Sequence, residues 1–326
     1  MHEFEIETKP LDLDGQVMLH ADTGERELRD IAFALRSCFH VIRHVAFLPV
    51  AETEPLEALR SDLGELEIPE MEDAAAFRVT SQRTGEHEFG SMDVQRVAGA
   101  ALVERYETSV DLESYDVEVR VDVVHDTCMV GVQWTRDSLD KRYAWVYRPR
   151  VTLRTTIAYA MLELAELPPQ NPVVLDPFCG SGTILVEAAA TRPEARCLAS
   201  DRDPEAVAGT RANAEAVGVA DRIVVTEADA RDLDEHYEAA SVDAVVTNPP
   251  YGVRLGRKAN YADLYRKFLR GAALVVKPGG RVVVLVGKRR HAFNRVLRET
   301  PQLRIATVRV IEIGGVYPAV FVLTRA

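Results

Sequence analysis

The sequence predicts an α/β chain in two parts: an N-terminal α+β region, then a doubly wound, mostly parallel sheet of seven strands flanked by helices. Three observations carry this. From residue 173 onward, short runs rich in Val, Ile and Leu alternate with helical segments, the pattern of strands buried on both faces. Before residue 139, DVEVRVDVV and CMVGVQW alternate apolar with polar side chains, the pattern of a sheet with one covered face. The first C-terminal run opens VVLDPFCGSGTILVEAA (173–189), a strand, a glycine turn and a helix, the unit with which parallel sheets hold ligands at their strand ends.

The first region, 1–52, reads as strand (FEIET), strand (GQVMLHA), helix (GERELRDIAFALRS) and strand (HVIRHVAFLPV). The second, 53–138, holds a strand at 77–83 and a polar loop. A helix follows, with Ser91 as its expected N-cap and Val94, Val97, Ala98, Ala101 and Leu102 as its apolar face. The two alternating strands come next. The connector TRDSLDKRYAWVYRPRVTLRTT (135–156), charged and rich in aromatics, carries the boundary, so 139–172 is a linker and the start of the next domain. Within 173–326 the expected strands are PVVLD, ARCLAS, RIVVTEA, VDAVVT, GRVVVLVG, LRIATVRVIEI and PAVFVLT.

The chain has 326 residues, enough for two or three domains with buried cores. The N-terminus is acidic without an apolar signal region, and no apolar stretch reaches the roughly 20 residues that span a bilayer. A cytoplasmic protein with no membrane association and no obligatory protein partner is expected. The four cysteines form no CxxC and are matched by no paired His spacing, so neither a metal site nor a disulfide framework is expected. Residues 1–75 hold 18 acidic and 6 basic side chains, which accounts for the whole net charge of −12; the rest is balanced, with 33 of each. Global acidity therefore does not exclude a polyanionic partner elsewhere. RLGRK (254–258) and KRRHAFNR (288–295) are locally basic, and only 6 cationic residues are Lys, leaving guanidinium groups suited to forked phosphate contacts.

Gly180 and Gly182 free the turn for a sharp bend or a close ligand approach, and the helix beginning near Thr183 presents unpaired N–H groups. Asp201 follows the second strand at the spacing used for ribose hydroxyls. Asp229, after the third strand, is placed to accept from an adenine amino group. Neither GxGxxG nor GxxxxGK[ST] is present, and Asp176 stands at the loop entrance, where it would repel a pyrophosphate and suit an ammonium. An ammonium site, an adenosine site and no phosphate site together describe S-adenosylmethionine. Asp203, followed by Pro204, reads instead as a helix N-cap.

The fourth run ends in NPPYG, where two prolines can continue neither strand nor helix and fix a rigid turn. The lone pair of an exocyclic amine such as guanine N2 is delocalised into the ring. Two acceptors, the Asn248 side-chain oxygen and the Pro249 carbonyl, could hold both amino hydrogens and aim that lone pair at a methyl carbon. Pro250 stiffens the turn, and Tyr251 can stack on the base.

With DPFCGSGT, SDRDP, ADA and NPPYG in this order, residues 173–326 resemble a Rossmann-like class I S-adenosylmethionine-dependent methyltransferase of the amino-methylating type. That resemblance implies cofactor contacts by Asp176, Phe178, Gly180, Ser181, Gly182, Asp201, Asp229 and Ala230, and target positioning by Asn248 to Tyr251. YGVRLG resembles the guanine-N2 branch. FRVTSQRTGEHEFGSMDVQRVAGAAL with the strands after it resembles the THUMP domain, preceded by a shortened ferredoxin-like region. The combination resembles the tRNA guanine-N2 methyltransferases of acceptor-stem position 6. It implies tRNA as partner, with its 3′ end held by the THUMP region, and RNA contacts at Arg83, His87, Ser91 and Arg96. Arg254, Lys288, Arg289 and Arg290 join them as basic residues near the strand ends. Two departures stand out. The first region lacks the family's opening strand and helix, and its acidity suits a spacer better than a phosphate site. TLRTT carries Thr155 where relatives carry Pro, and Arg154 and Thr156 stand where relatives contact the methionine carboxylate. Ribosomal RNA or tRNA guanosine 10 is the alternative target, and a non-catalytic RNA-binding scaffold the alternative class.

Overall fold

The computed structural model describes residues 4–13, 15–21, 23–250, 260–287 and 290–326. The chain divides into two compact units, Met1–Leu139 and Asp140–Ala326, and the division falls inside the charged connector.

The first unit contains β1 (Phe4–Thr8), β2 (Val17–Ala21), α1 (Glu25–Ala34), β3 (Ile42–Pro49), α2 (Pro55–Glu65), β4 (Ala76–Thr80), β5 (Arg83–Thr84), α3 (Ser91–Tyr106), β6 (Ser109–Val110), β7 (Val117–Val124) and β8 (Thr127–Gln133). β1 and β2 form an antiparallel pair of their own. β3 pairs with β8 and so is built into the sheet of the second region, in the order β3-β8-β7-β4-β6, with β5 also on β7. The period of two is explained by the two faces of β7. Val119, Val121 and Val123 pack with Val94, Ala98, Ala101 and Leu102 of α3. Glu118 and Asp122 point the other way and are buried among partners, Arg78 and Arg120 respectively.

Two local expectations are corrected here. α3 is capped at Gly90, with the Asp93 carboxylate accepting from the Gly90 N–H at 2.9 Å, so Ser91 is the first helical residue and not the cap. The strand expected at 77–83 is interrupted after Thr80, because the Gln82 N–H turns to the Asp122 carboxylate at 2.7 Å.

The second unit contains α4 (Thr155–Leu164), β9 (Val173–Asp176), α5 (Thr183–Thr191), β10 (Arg196–Asp201), α6 (Pro204–Val217), β11 (Ile223–Glu227), α7 (Leu233–His236), β12 (Val242–Thr247), α8 (Tyr261–Val275), β13 (Val276–Val286), α9 (Arg290–Leu297), β14 (Leu303–Val310) and β15 (Ala319–Arg325). Among the described residues its sheet has the order β11-β10-β9-β12-β13-β15-β14, parallel except for β15. Val174, Ala244, Val246 and Val283 face α4, α5 and α6. Their neighbours Leu175, Val245, Val282 and Val284 face α7, α8 and α9. Burial on both sides is why β9, β12 and β13 are apolar along most of their paired length; the edge strands β11 and β14 are instead largely exposed, because each has a neighbour on one side only.

The chain runs outward from β9 through β10 to β11, then returns to β12 on the other side of β9. The loops after β9 and β12 therefore diverge and leave a crevice at their carboxyl ends. The end of the basic stretch 288–295 is not a loop: Arg290 opens α9, and Phe293 is fully buried between Tyr265 and Phe321. No helix among the described residues is long and apolar enough to cross a membrane.

Asp203 caps α6 by accepting from the Glu205 N–H at 3.0 Å, with Pro204 at the first helical position. Asp203→Ala is expected to lower unfolding stability by about 1 kcal/mol in urea titration while leaving S-adenosylmethionine affinity intact.

Candidate active site

Four chain segments meet at the strand ends through a continuous run of hydrogen bonds. Thr247, the last residue of β12, donates its hydroxyl to Asp176 Oδ1 at 2.6 Å, and the Phe178 N–H donates to the same oxygen at 3.1 Å. In the turn that follows, the Gly180 N–H donates to Asp201 Oδ2 at 3.1 Å. The Ala228 N–H then donates to the Asp201 carbonyl at 3.1 Å, which places the Asp229 segment beside β10. Asp176, Asp201, Asp229 and the Asn248 turn, far apart in sequence, are thus held at one end of the sheet.

The glycine turn is built for close approach. Gly180 and Gly182 have φ of +55° and +79°, the left-handed region that other residues enter only with strain. A Cβ on Gly182 would press on Thr210 Cγ2 at 2.8 Å, whereas one on Gly180 would meet nothing nearer than the Phe178 carbonyl at 3.9 Å. Gly182 therefore answers to packing, and Gly180 leaves open space at the turn. Ser181 and Thr183 are buried, their hydroxyls 3.0 Å apart. Phe178 packs edge-on against Phe268 of α8 at 5.4 Å, which fixes the turn to the opposite helix layer. Cys179 is buried and its thiol is pushed well above the usual range by burial, so it is no nucleophile.

Asp176 is 2 % exposed, and burial pushes its carboxyl up to about 7. The Thr247 hydroxyl and the Phe178 N–H hold it down from a higher value, and the neighbouring Asp201 carboxylate adds to the rise. Asp201 is also raised, chiefly by burial, despite accepting from Gly180 and from the Asp203 N–H at 3.1 Å. Asp229 is lowered by the Arg231 guanidinium, whose Nε and terminal nitrogen fork onto its two oxygens at 3.0 and 2.5 Å. Ala230 is buried behind it.

Asn248 and Pro250 are half-buried and Pro249 is buried, directly after Thr247. Tyr251, Arg254, Lys288 and Arg289 lie outside the described residues, and Arg290 is the first residue of α9. In the first unit, Arg83 donates to the Gly85 carbonyl at 2.7 Å and sits 3.1 Å from His87 Nδ1, while His87 Nε2 lies 2.6 Å from the His125 carbonyl. Both side chains therefore build the loop they sit on. Ser91 is half-buried at the start of α3, and Arg96 pairs with Asp93 one turn earlier.

Three contributors went unread in the sequence. Thr247 joins the two functional loops. Thr210 donates to the Gly180 carbonyl at 3.0 Å. Arg231 engages the carboxylate assigned to the adenine. The donor set suits the ligand inferred from the sequence. It combines three carboxylates with an unobstructed Gly180. Thr156, on α4, is buried, and its hydroxyl finds no hydrogen-bond partner among the described residues.

A seven-stranded sheet with this order and this strand-end site defines a class I S-adenosylmethionine-dependent methyltransferase. Residues 145–319 match the RMKL-like methyltransferase domain family and residues 56–133 match the THUMP domain, so the chain belongs to the RMKL-like methyltransferases and carries a THUMP domain. It is 41% identical, over 90% of its length and 86% of the relative's, to the tRNA (guanine(6)-N2)-methyltransferase of Thermus thermophilus. It is 32% identical, over 76% of its length and 69% of the relative's, to the protein of the same name from Archaeoglobus fulgidus. The crystal structure of TrmN from Thermus thermophilus superimposes with a TM-score of 0.82 at 38% identity, covering 95% of this chain and 89% of that one.

The raised Asp176 carboxyl has a measurable consequence. Its unfolded counterpart titrates near 3.8, so the ligand-free fold binds the extra proton between about 4 and 7, and this group makes stability fall as pH rises through that window. A cationic ligand group beside Asp176 reverses the balance by favouring the carboxylate. S-adenosylmethionine affinity should therefore increase from about pH 6 to about pH 8 with proton release, read by calorimetry in buffers of different ionisation enthalpy. Asp176→Asn should abolish the proton release.

Proposed function

We propose that the protein transfers a methyl group from S-adenosylmethionine to the exocyclic N2 of guanosine 6 in the acceptor stem of tRNA. The observation that carries this reading is the Thr247–Asp176 hydrogen bond, which fixes the Asn-Pro-Pro turn beside the glycine turn. Support comes from the two relatives named above, whose likeness to this chain runs over 86% and 69% of their own length.

The cofactor supplies an electrophilic methyl carbon on a positively charged sulfur. Asp176 faces the cofactor's ammonium end, Asp201 the ribose hydroxyls, and Asp229 with the Ala230 N–H the adenine edge. Ser181, Gly182 and the N–H groups at Thr183 close the turn around it. Thr156, with Arg154 next to its helix start, takes the methionine carboxylate. Arg154 lies 3.8 Å from Asp140, and the Thr155 hydroxyl donates to the Asp140 carbonyl at 2.8 Å, so Thr155 secures the start of α4. Asn248 Oδ1 and the Pro249 carbonyl accept the two amino hydrogens of the target. With the donor bound, its sulfonium would supply the methyl group, and these acceptors would stabilise the positive charge developing on nitrogen until the displaced amino proton passes to solvent. A paired stem must first release the target base from its duplex. The THUMP region holds the 3′ end of the RNA and the first region acts as a spacer; the setting is the cytoplasm.

Incubating the protein with bulk tRNA and labelled donor, then mapping the label, should give N2-methylguanosine at position 6. Label confined to tRNA position 10, or ribosomal RNA labelled in a parallel incubation while tRNA is not, would contradict the assignment. Asn248→Ala should lower kcat by about 10² to 10³, with far less change in S-adenosylmethionine affinity measured by calorimetry. Thr156→Val should do the converse, weakening cofactor binding by about tenfold while single-turnover methylation at saturating cofactor stays close to wild type.

A further inference from the structure

The connector KRYAWVYRPR is not a loose tether in the second unit. Arg142 and the Tyr143 hydroxyl bind the Glu187 carboxylate of α5 at 3.0 and 2.8 Å, and Glu187 is completely buried. Farther along, Asn213 of α6, also completely buried, uses all four of its side-chain hydrogen-bonding positions. Its Oδ1 accepts from the Val146 and Tyr147 N–H groups at 2.9 and 2.8 Å, and its Nδ2 donates to the Tyr147 and Ser181 carbonyls, both at 2.9 Å. The Tyr147 ring lies so close over Gly209 that a Cβ there would overlap it. A buried carboxylate and a buried amide are costly unless every polar atom is matched. Here each is matched by the connector, so its path is fixed. Through Ser181, one side chain separates it from the glycine turn.

Immediately beyond this clamp come Arg148 and Arg150, on either side of Pro149. Both are exposed, and neither guanidinium makes an ion pair or hydrogen bond among the described residues. The clamp's packing needs Tyr143, Trp145 and Tyr147 and gains nothing from these two charges. The neighbouring strand ends, meanwhile, carry Asp176, Asp201 and Asp229, whose field opposes the approach of any polyanion.

We infer that residues 142–150 form a rigid strap that presents Arg148 and Arg150 to the RNA phosphate backbone next to the methyl-transfer site. This inference rests on the RNA substrate proposed above. Guanidinium groups fork onto phosphate oxygens, and two such pairings offset the local carboxylates. Asn213 is a positioning residue, because it ties the strap and the cofactor turn to the same helix.

The test is tRNA binding by fluorescence anisotropy across a salt series, with the full chain carrying R148Q and R150Q together. Affinity at low salt should fall by ~tenfold or more, and the slope of log K against log salt should become shallower by about 0.7 to 0.9 for each phosphate no longer neutralised. R148K with R150K, which keeps both charges, should recover most of the slope. S-adenosylmethionine affinity should equal wild type in both. An unchanged slope in the glutamine variant, or a weakened cofactor affinity, would overturn the inference. A wild-type protein that binds tRNA with the expected slope yet methylates none would instead remove the proposed reaction and leave the strap standing.

Discussion

The hydrogen bond between Thr247 and Asp176 carries the site. Backbone pairing between β9 and β12 ends at Leu175 and Val245, so beyond that point the two strands separate. The side-chain bond at 2.6 Å takes over where the ladder stops. Both groups are buried, in a place where water cannot substitute for either partner. One loop is thereby fixed against the other, and a donor on the first can meet an acceptor turn on the second in one geometry.

The carboxylates around this bond are held by the protein's own hydrogen-bond donors. Asp201 is held by the Gly180 and Asp203 N–H groups, yet a carboxylate offers about four acceptor positions, which leaves room for further donors. Asp229 is oriented by the fork of Arg231. Asp176 is kept close to its titration point by burial, so its charge responds to what binds beside it. Prealigned acceptors of this kind avoid reorganisation during the reaction. The strap extends the same logic outward, since Asn213 joins the glycine turn to the segment bearing Arg148 and Arg150.

Much of this was legible from the chain. The seven apolar runs, the Asp203 cap and the order of the DPFCGSGT, SDRDP, ADA and NPP segments correspond to the strands, helix start and strand-end loops seen in the structure. Residues whose meaning depends on a distant partner were not legible. Thr247 reads as the last β-branched residue of a strand, and nothing local says that its hydroxyl meets Asp176. Glu187 did leave a signal, as a charged side chain on the otherwise buried α5, whereas Asn213 is one polar residue among several on the half-exposed α6; the partners of both lie largely in an irregular connector without periodicity. Arg83 and His87 show the converse. Their side chains suggest RNA contact by type, while the structure engages them in shaping their own loop. The cap of α3 moved by one residue because a glycine with a reciprocal Asp outcompetes a serine one position on.

The most direct measurement is a crystal structure with S-adenosylhomocysteine bound. The sulfur is expected at the junction of the two tied loops, facing Asn248 Oδ1 and the Pro249 carbonyl across a gap that admits a purine amino group, with Thr247 still bonded to Asp176. A sulfur turned away from residues 248 to 250, or a turn packed so that no purine could enter, would contradict that arrangement and the reaction built on it.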